Sequence, residues 1–224
     1  VIISGNAVAM PWVNEVPAIV EAWYGGTEAG NAIASVLAGE VNPSGKLPFT
    51  FPVRLEDNPA IALDAYPGDG KQVEYKEGIF VGYRWNDRER IKPLFCFGHG
   101  LSYTTFEYGK VTAEGRQMGP DGTITVSVPV KNTGSRAGAE IVQLYVSDLK
   151  SSLPRPVKEL KGFRKITLQP GQEQTVSFTI DRKALSFYDD TKQDWVAEPG
   201  TFEALVGASA CDIRGKAAFE LTAR

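Results

Sequence analysis

The chain is poor in the residues that most often build chemistry on their own. It has two cysteines and one histidine in 224 residues, too few for a recognisable zinc ligand set. Cys96 and Cys211 lie far apart in sequence. A disulfide between them is open, but two reduced, packed thiols are the reading preferred from so sparse a cysteine content. Neither sign of charge dominates: 24 Lys and Arg face 27 Asp and Glu, and no basic stripe runs beside aromatics as a nucleic-acid surface would require. No apolar run approaches the roughly 20 residues of a membrane-spanning helix. What remains is an ordinary globular composition, 42% hydrophobic and 23% charged, which argues against wholesale disorder. At this length two modest domains can each bury a core.

The first half reads as α/β. Val1-Ile2-Ile3-Ser4 is a β-branched run of the kind found in buried parallel strands. A chain seldom starts inside a core strand, so the natural N-terminus is expected upstream. Any signal peptide would lie there too, which leaves localisation open. Asn14 to Trp23 reads as a short helix with Pro17 in its first turn. Gly25-Gly26 break it, and a second helix follows with Thr27 as N-cap and Glu28 in its first turn. Ala29, Ile33, Val36 and Leu37 form the apolar face of this second helix, and Gly39 stops it. Asn42-Pro43-Ser44-Gly45 is turn chemistry before an extended Leu47–Phe51. Asn58 to Asp69 reads as a surface loop, Ile79 to Trp85 as a strand, and Phe95 to Tyr108 as an aromatic-rich connector.

The second half changes period. Thr123 to Val130 alternates apolar and hydroxyl side chains, as a half-buried strand does. Further strands are expected at Ile141–Ser147, Gly162–Leu168, Thr175–Ile180, Trp195–Ala197 and Phe202–Gly207. Turn residues separate them at Asn132-Thr133-Gly134, Gln169-Pro170-Gly171 and Glu198-Pro199-Gly200. The spacing predicts an antiparallel sandwich of immunoglobulin or fibronectin type III kind. The expected fold class is therefore part of an open α/β sandwich followed by an all-β sandwich. The boundary falls near Tyr108 to Val111, giving domains 1–108 and 109–224.

Several segments resemble glycoside hydrolase family 3 in that family's order. They are AWYGGTEAG, NPSGKLPFTFP, EYKEGIFVGYRW, FGHGLSYTTFEY, VKNTGSRAGAEIVQLYVSD and PVKELKGFRKITLQPGQ, which together span nearly the whole chain. The resemblance breaks at Cys96, where many relatives have proline. It implies the C-terminal fragment of a retaining, exo-acting β-glucosidase that removes terminal β-D-glucosyl residues. A β-xylosidase of the same family is the nearest alternative, and a stand-alone carbohydrate-binding or adhesion module is the competing class. Retaining chemistry uses two carboxyls about 5–5.5 Å apart. In the family these sit in an N-terminal (β/α)₈ barrel and on a loop before the strand matching Val1–Ser4, so no catalytic residue is carried onto this chain. The implied partners are that barrel portion and a β-glucoside. No cofactor, metal, nucleic acid or membrane is expected, and a homodimer is left open.

Each tempting side chain has a plainer reading beside it. Glu28 is either a brace for the active-site face or a first-turn residue that satisfies backbone N–H groups. Tyr83 and Trp85 alternate with Arg84, so a strand places both on one face, suited to a sugar ring or to a domain seam. Trp23 and Tyr24 offer similar rings, with Trp23 favoured as core. Glu74 and Glu77 read as a solvated loop and Asp189-Asp190 as a turn. His99, without nucleophile or metal-ligand partners nearby, reads as a structural hydrogen bonder. Gly25-Gly26 lack any phosphate fingerprint and read as a tight turn.

Overall fold

The computed structural model describes residues 1–223 and divides them into two compact units at Tyr103/Thr104. In the first unit, Ile2 bridges Glu21 in parallel, with Ile2 N donating to Val20 O at 2.8 Å and Ala22 N to Ile2 O at 2.9 Å. The parallel pairing is as expected, but the burial is not. Val1 and Ile3 are 60% and 61% exposed, because no layer of this chain covers them. The expected helix from Asn14 to Trp23 is absent. Only Val13–Glu15 turn, as a 3₁₀ segment, and Val16 is extended at φ −126° and ψ 139°. The reason is Pro17, whose ring forces the preceding residue out of the helical region.

Helix α1 (Ala29–Leu37) forms where the apolar period placed it. Its N-cap is Glu28 rather than Thr27, with no side-chain cap bond. Gly39, at φ 76°, ends it and donates to Val36 O at 3.0 Å. Ala29, Ile33 and Val36 are half-buried, whereas Leu37 stays exposed. The expected loop after Asn58 contains a short helix, α2 (Pro59–Ala62), because Asn58 Oδ1 accepts from Ala60 N at 3.0 Å and Pro59 fits the first helical position. The expected strand from Ile79 to Trp85 is replaced by α3 (Tyr83–Glu89). Gly82 decides this: its φ of 60° and ψ of −131° lie outside any strand geometry and turn the chain into the helix.

The second unit is the expected sandwich. Its first sheet contains β1 (Phe106–Tyr108), β2 (Thr112–Glu114), β4 (Thr123–Asn132) and β7 (Glu173–Asp181). The second runs in the order β3 (Gln117–Met118), β11 (Asp212–Leu221), β10 (Gly200–Ser209), β5 (Gly138–Asp148), β6 (Glu159–Leu168). A short helix, α4 (Arg182–Leu185), leads into a separate hairpin of β8 (Phe187–Asp189) and β9 (Asp194–Val196). Phe106–Tyr108, read from sequence as connector, thus pair within the sandwich.

Period-two alternation builds the core of this unit. Val126, Val128 and Val130 of β4 pack in one cluster with Val142, Leu144 and Val146 of β5 and with Phe202, Ala204 and Val206 of β10. Pro129 sits in the central strand β4 without breaking it. β7 pairs along one edge of β4, and β1 and β2 pair with successive parts of the other. Pro129 O accepts from Gly109 N at 2.8 Å, between β1 and β2. The missing proline donor therefore points into the gap where no ladder bond is needed.

Neither cysteine is a free thiol: Cys96 and Cys211 are both disulfide-bonded. This corrects the expectation of reduced, packed thiols, which rested on how few cysteines the chain has.

Candidate functional site

Two motifs more than forty residues apart in sequence close on each other in the first unit. The Asn42–Phe51 segment lies along Leu94–Tyr103. Leu47 N donates to His99 O at 2.8 Å and Gly98 N to Leu47 O at 2.7 Å. Phe51 N donates to Phe95 O at 2.8 Å, and Leu94 N returns to Phe51 O at 2.9 Å. Side chains lock the turn end of this clasp. Asn42 Oδ1 accepts from Ser102 Oγ at 2.9 Å and from Tyr103 N at 2.7 Å. Lys46 Nζ donates to Gly100 O at 2.9 Å, and the Tyr103 hydroxyl donates to Val36 O at the end of α1 at 2.8 Å. Helix, turn and connector are thereby fixed to one another.

Aromatic rings fill the clasp. Phe51 is fully buried between Trp23, at 6.2 Å between centroids, and Phe95, at 6.4 Å. Trp23 also meets Phe49 at 5.7 Å. It is packed as expected, although its backbone is left-handed at φ 51° and not helical. His99 stacks on Phe95 at 5.5 Å and 17° while its carbonyl accepts from Leu47. These contacts give His99 a structural place in the clasp.

The other candidates are scattered. Glu28 is exposed, and its Oε2 accepts from Asn31 Nδ2 at 2.6 Å rather than from first-turn backbone. Tyr83 and Trp85 do not share a face, since residues two apart on a helix point in different directions. Tyr83 is half-buried against Phe97 at 5.2 Å. Trp85 is only 4% exposed and lies beneath the Arg88 guanidinium, 4.6 Å away, so it presents no ring face to a ligand. Glu74 is exposed and 4.0 Å from Lys76, but Glu77 departs from the solvated-loop reading: its Oε2 is shut from solvent without a partner. Asp189 is buried in its turn and accepts from Thr191 Oγ1 at 2.6 Å, Thr191 N at 3.0 Å and Lys192 N at 3.3 Å. Among the described residues no three His, Cys, Asp or Glu side chains gather as a metal would require, and no helix is long and apolar enough to cross a membrane.

Sequence reasoning found both halves of the clasp but not their contact. Neither segment carries a local signal for the other, because the pairing depends on how the chain between them folds back.

Residues 1–83 match the family described as Glycosyl hydrolase family 3 C-terminal domain, and residues 140–210 match the Fibronectin type III-like domain. The chain belongs to glycosyl hydrolase family 3. It is 58% identical over 222 residues to the β-glucosidase BoGH3A of Bacteroides ovatus, an alignment that covers 98% of the chain and 30% of that relative. The thermostable β-glucosidase B of Acetivibrio thermocellus is 53% identical over 95% of the chain and 28% of its own length. Among solved structures, the β-glucosidase of Kluyveromyces marxianus superposes with a TM-score of 0.90 at 44% identity, covering 98% of the chain and 26% of that structure. The chain therefore spans less than a third of the length of these relatives. The family 3 C-terminal α/β sandwich with an appended fibronectin-like domain is the fold they share with it.

Proposed function

We propose that this chain is the C-terminal portion of a retaining, exo-acting β-glucosidase. It acts on terminal β-D-glucosyl residues only when joined to an N-terminal (β/α)₈ barrel portion, and the nucleophilic Asp and acid/base Glu lie outside residues 1–224. The observation that carries this is the unfinished core of the first unit. Among the buried apolar side chains of residues 1–103 are only Met10, Phe51, Ala65 and Trp85, while Val1, Ile3, Leu37, Val73, Ile79 and Val81 stand exposed. A layer of this length that buries so little apolar surface gains too little to order itself alone, and the relatives' additional length is the natural cover for it.

In this reading the clasp holds α1 and the strand-like segments against the barrel portion. Glu28, exposed at the entry to α1, is assigned the bracing role. Tyr83 remains the aromatic candidate for the substrate side, and Trp85 is interior. Glucose is favoured over xylose because the relatives named above are β-glucosidases. A homodimer is not required by the proposal.

The test is hydrolysis of p-nitrophenyl β-glucoside. The chain alone is expected to give no turnover above buffer, and adding the separately produced barrel portion is expected to restore it. Turnover by the isolated chain at enzymatic rates would overturn the reading.

A further inference from the structure

The β8–β9 hairpin has one anchored face and one open face. On the anchored face, Phe187 lies under the guanidinium of Arg155, 5.3 Å from the ring centroid. Arg155 is itself held by Asp148 at 3.0 Å and Glu159 at 2.6 Å. The turn is fixed by buried Asp189, which takes hydrogen bonds from Thr191 and Lys192 and an ion pair with Lys192 Nζ at 2.8 Å. The open face carries Tyr188 and Trp195, which are direct cross-strand partners. Their rings meet nearly at right angles, 5.9 Å between centroids and 72° between planes. They are nevertheless 52% and 65% exposed.

Two rings set almost perpendicular leave a corner bounded by both of their faces. A ring face is electron-rich and attracts weakly positive C–H groups. A pyranose whose hydroxyls are all equatorial presents such C–H groups on each flat side and its hydroxyls around the rim. Exposed Asp190 and Gln193, in the turn that joins the two strands, lie close to the rings in sequence and offer acceptors for that rim. The open ring area is roughly 250 Å², well short of the about 800 Å² per partner of a stable protein interface. The hairpin tip also offers no further apolar side chain to extend it, since residues 190–194 are Asp, Thr, Lys, Gln and Asp. Small size, rigidity, aromatic faces and a polar rim suit a neutral sugar better than a protein surface.

We propose that Tyr188 and Trp195 form a glycan-docking corner on the fibronectin-like domain, which takes an oligomer of β-linked glucose. The choice of glucose rests on the proposed function, whereas the corner itself rests on the hairpin geometry. Binding is read on this chain without any hydrolysis, so failure of one proposal does not entail failure of the other.

The experiment is calorimetric and fluorescence titration of the full chain with cellopentaose, with maltopentaose as the comparison sugar. Saturable binding of cellopentaose in the millimolar range or tighter is expected, with maltopentaose weaker. Trp195→Ala should weaken cellopentaose binding at least tenfold, Tyr188→Ala severalfold, and Trp195→Phe less than threefold. Circular dichroism melts check that each variant folds. If Trp195→Ala does not fold, protection of the Trp195 indole from N-bromosuccinimide by cellopentaose in the unaltered chain replaces it, and absence of protection counts against the proposal. No saturable binding, or equal binding by a folded Trp195→Ala, would overturn it. So would concentration-dependent self-association that Trp195→Ala abolishes, because the rings would then meet a second copy of the chain.

Discussion

Gly100 packs against Gly45 so closely that a Cβ at position 100 would collide with the Gly45 carbonyl oxygen. The obstacle is backbone, which cannot swing aside as a flexible side chain would. Around this contact the Asn-Pro-Ser-Gly turn and the Phe-Gly-His-Gly connector are held together by Lys46 and Asn42.

Gly100→Ala is therefore expected to loosen the clasp and lower stability by about 1–3 kcal/mol, the usual cost of forcing a methyl group into a filled space. Gly30→Ala makes the contrasting case. It lies within α1 with nothing near its would-be Cβ, so alanine should stabilise the helix by up to about 1 kcal/mol. With the proposed barrel portion present to cover the first unit, urea melts of the two variants should move in opposite directions.

Asn132 is fully buried, at 0% exposure, and its amide is used at both ends. Its Oδ1 accepts from Thr104 Oγ1 at 2.7 Å and Gly134 N at 3.1 Å, and its Nδ2 donates to Arg136 O at 2.7 Å and Leu168 O at 3.0 Å. Asn132→Ala should cost about 2–4 kcal/mol by stranding buried partners. Asn132→Asp should cost at least as much, because a carboxylate would face two carbonyl oxygens. A denaturant series in which Asp is milder than Ala would contradict the donor–acceptor assignment.

Hydrogen bonds from the Lys192 and Thr191 side chains hold the Asp189 carboxyl well below the usual carboxylate range. Its folded-state pKa is depressed, so its contribution is fully present above the unfolded value of about 4 and is lost as pH falls below that. Trp195 fluorescence should report loosening of the β8–β9 hairpin in that acid window. Asp189→Asn should already show the loosened signal at neutral pH and little further change on acidification.

Hydrogen exchange should separate the two units. Amides of β4, β5 and β10, paired on both edges over the buried cluster, are expected to exchange slowest. Amides of residues 1–40 should exchange orders of magnitude faster, because little apolar surface holds that segment closed. Equal protection would argue against the unfinished core.

The sandwich was legible because its strands carry their own signal. The alternation in Thr123–Val130 reappears as alternate burial along β4. β11 escaped notice because small Gly215 and Ala217 dilute its inward face. Gly215 is small for a reason: a side chain there would run into Val111. The first half was harder, since its elements are short and decided by single residues. Pro17 cancelled one helix and Gly82 replaced a strand with another. Tyr83 and Trp85 were paired in sequence by a period of two that the helix removes, and only packing showed that Trp85 is interior.

By itself, the order of residues determined most of the sandwich strands, because periodicity and turn chemistry act over a few neighbours, while the likeness to the family rested on matching motifs. Tertiary structure alone decided that Asn42 meets Ser102, that both cysteines are oxidised, and that Tyr188 and Trp195 stand open at a right angle. Those facts depend on how distant segments fill space, which no local pattern encodes.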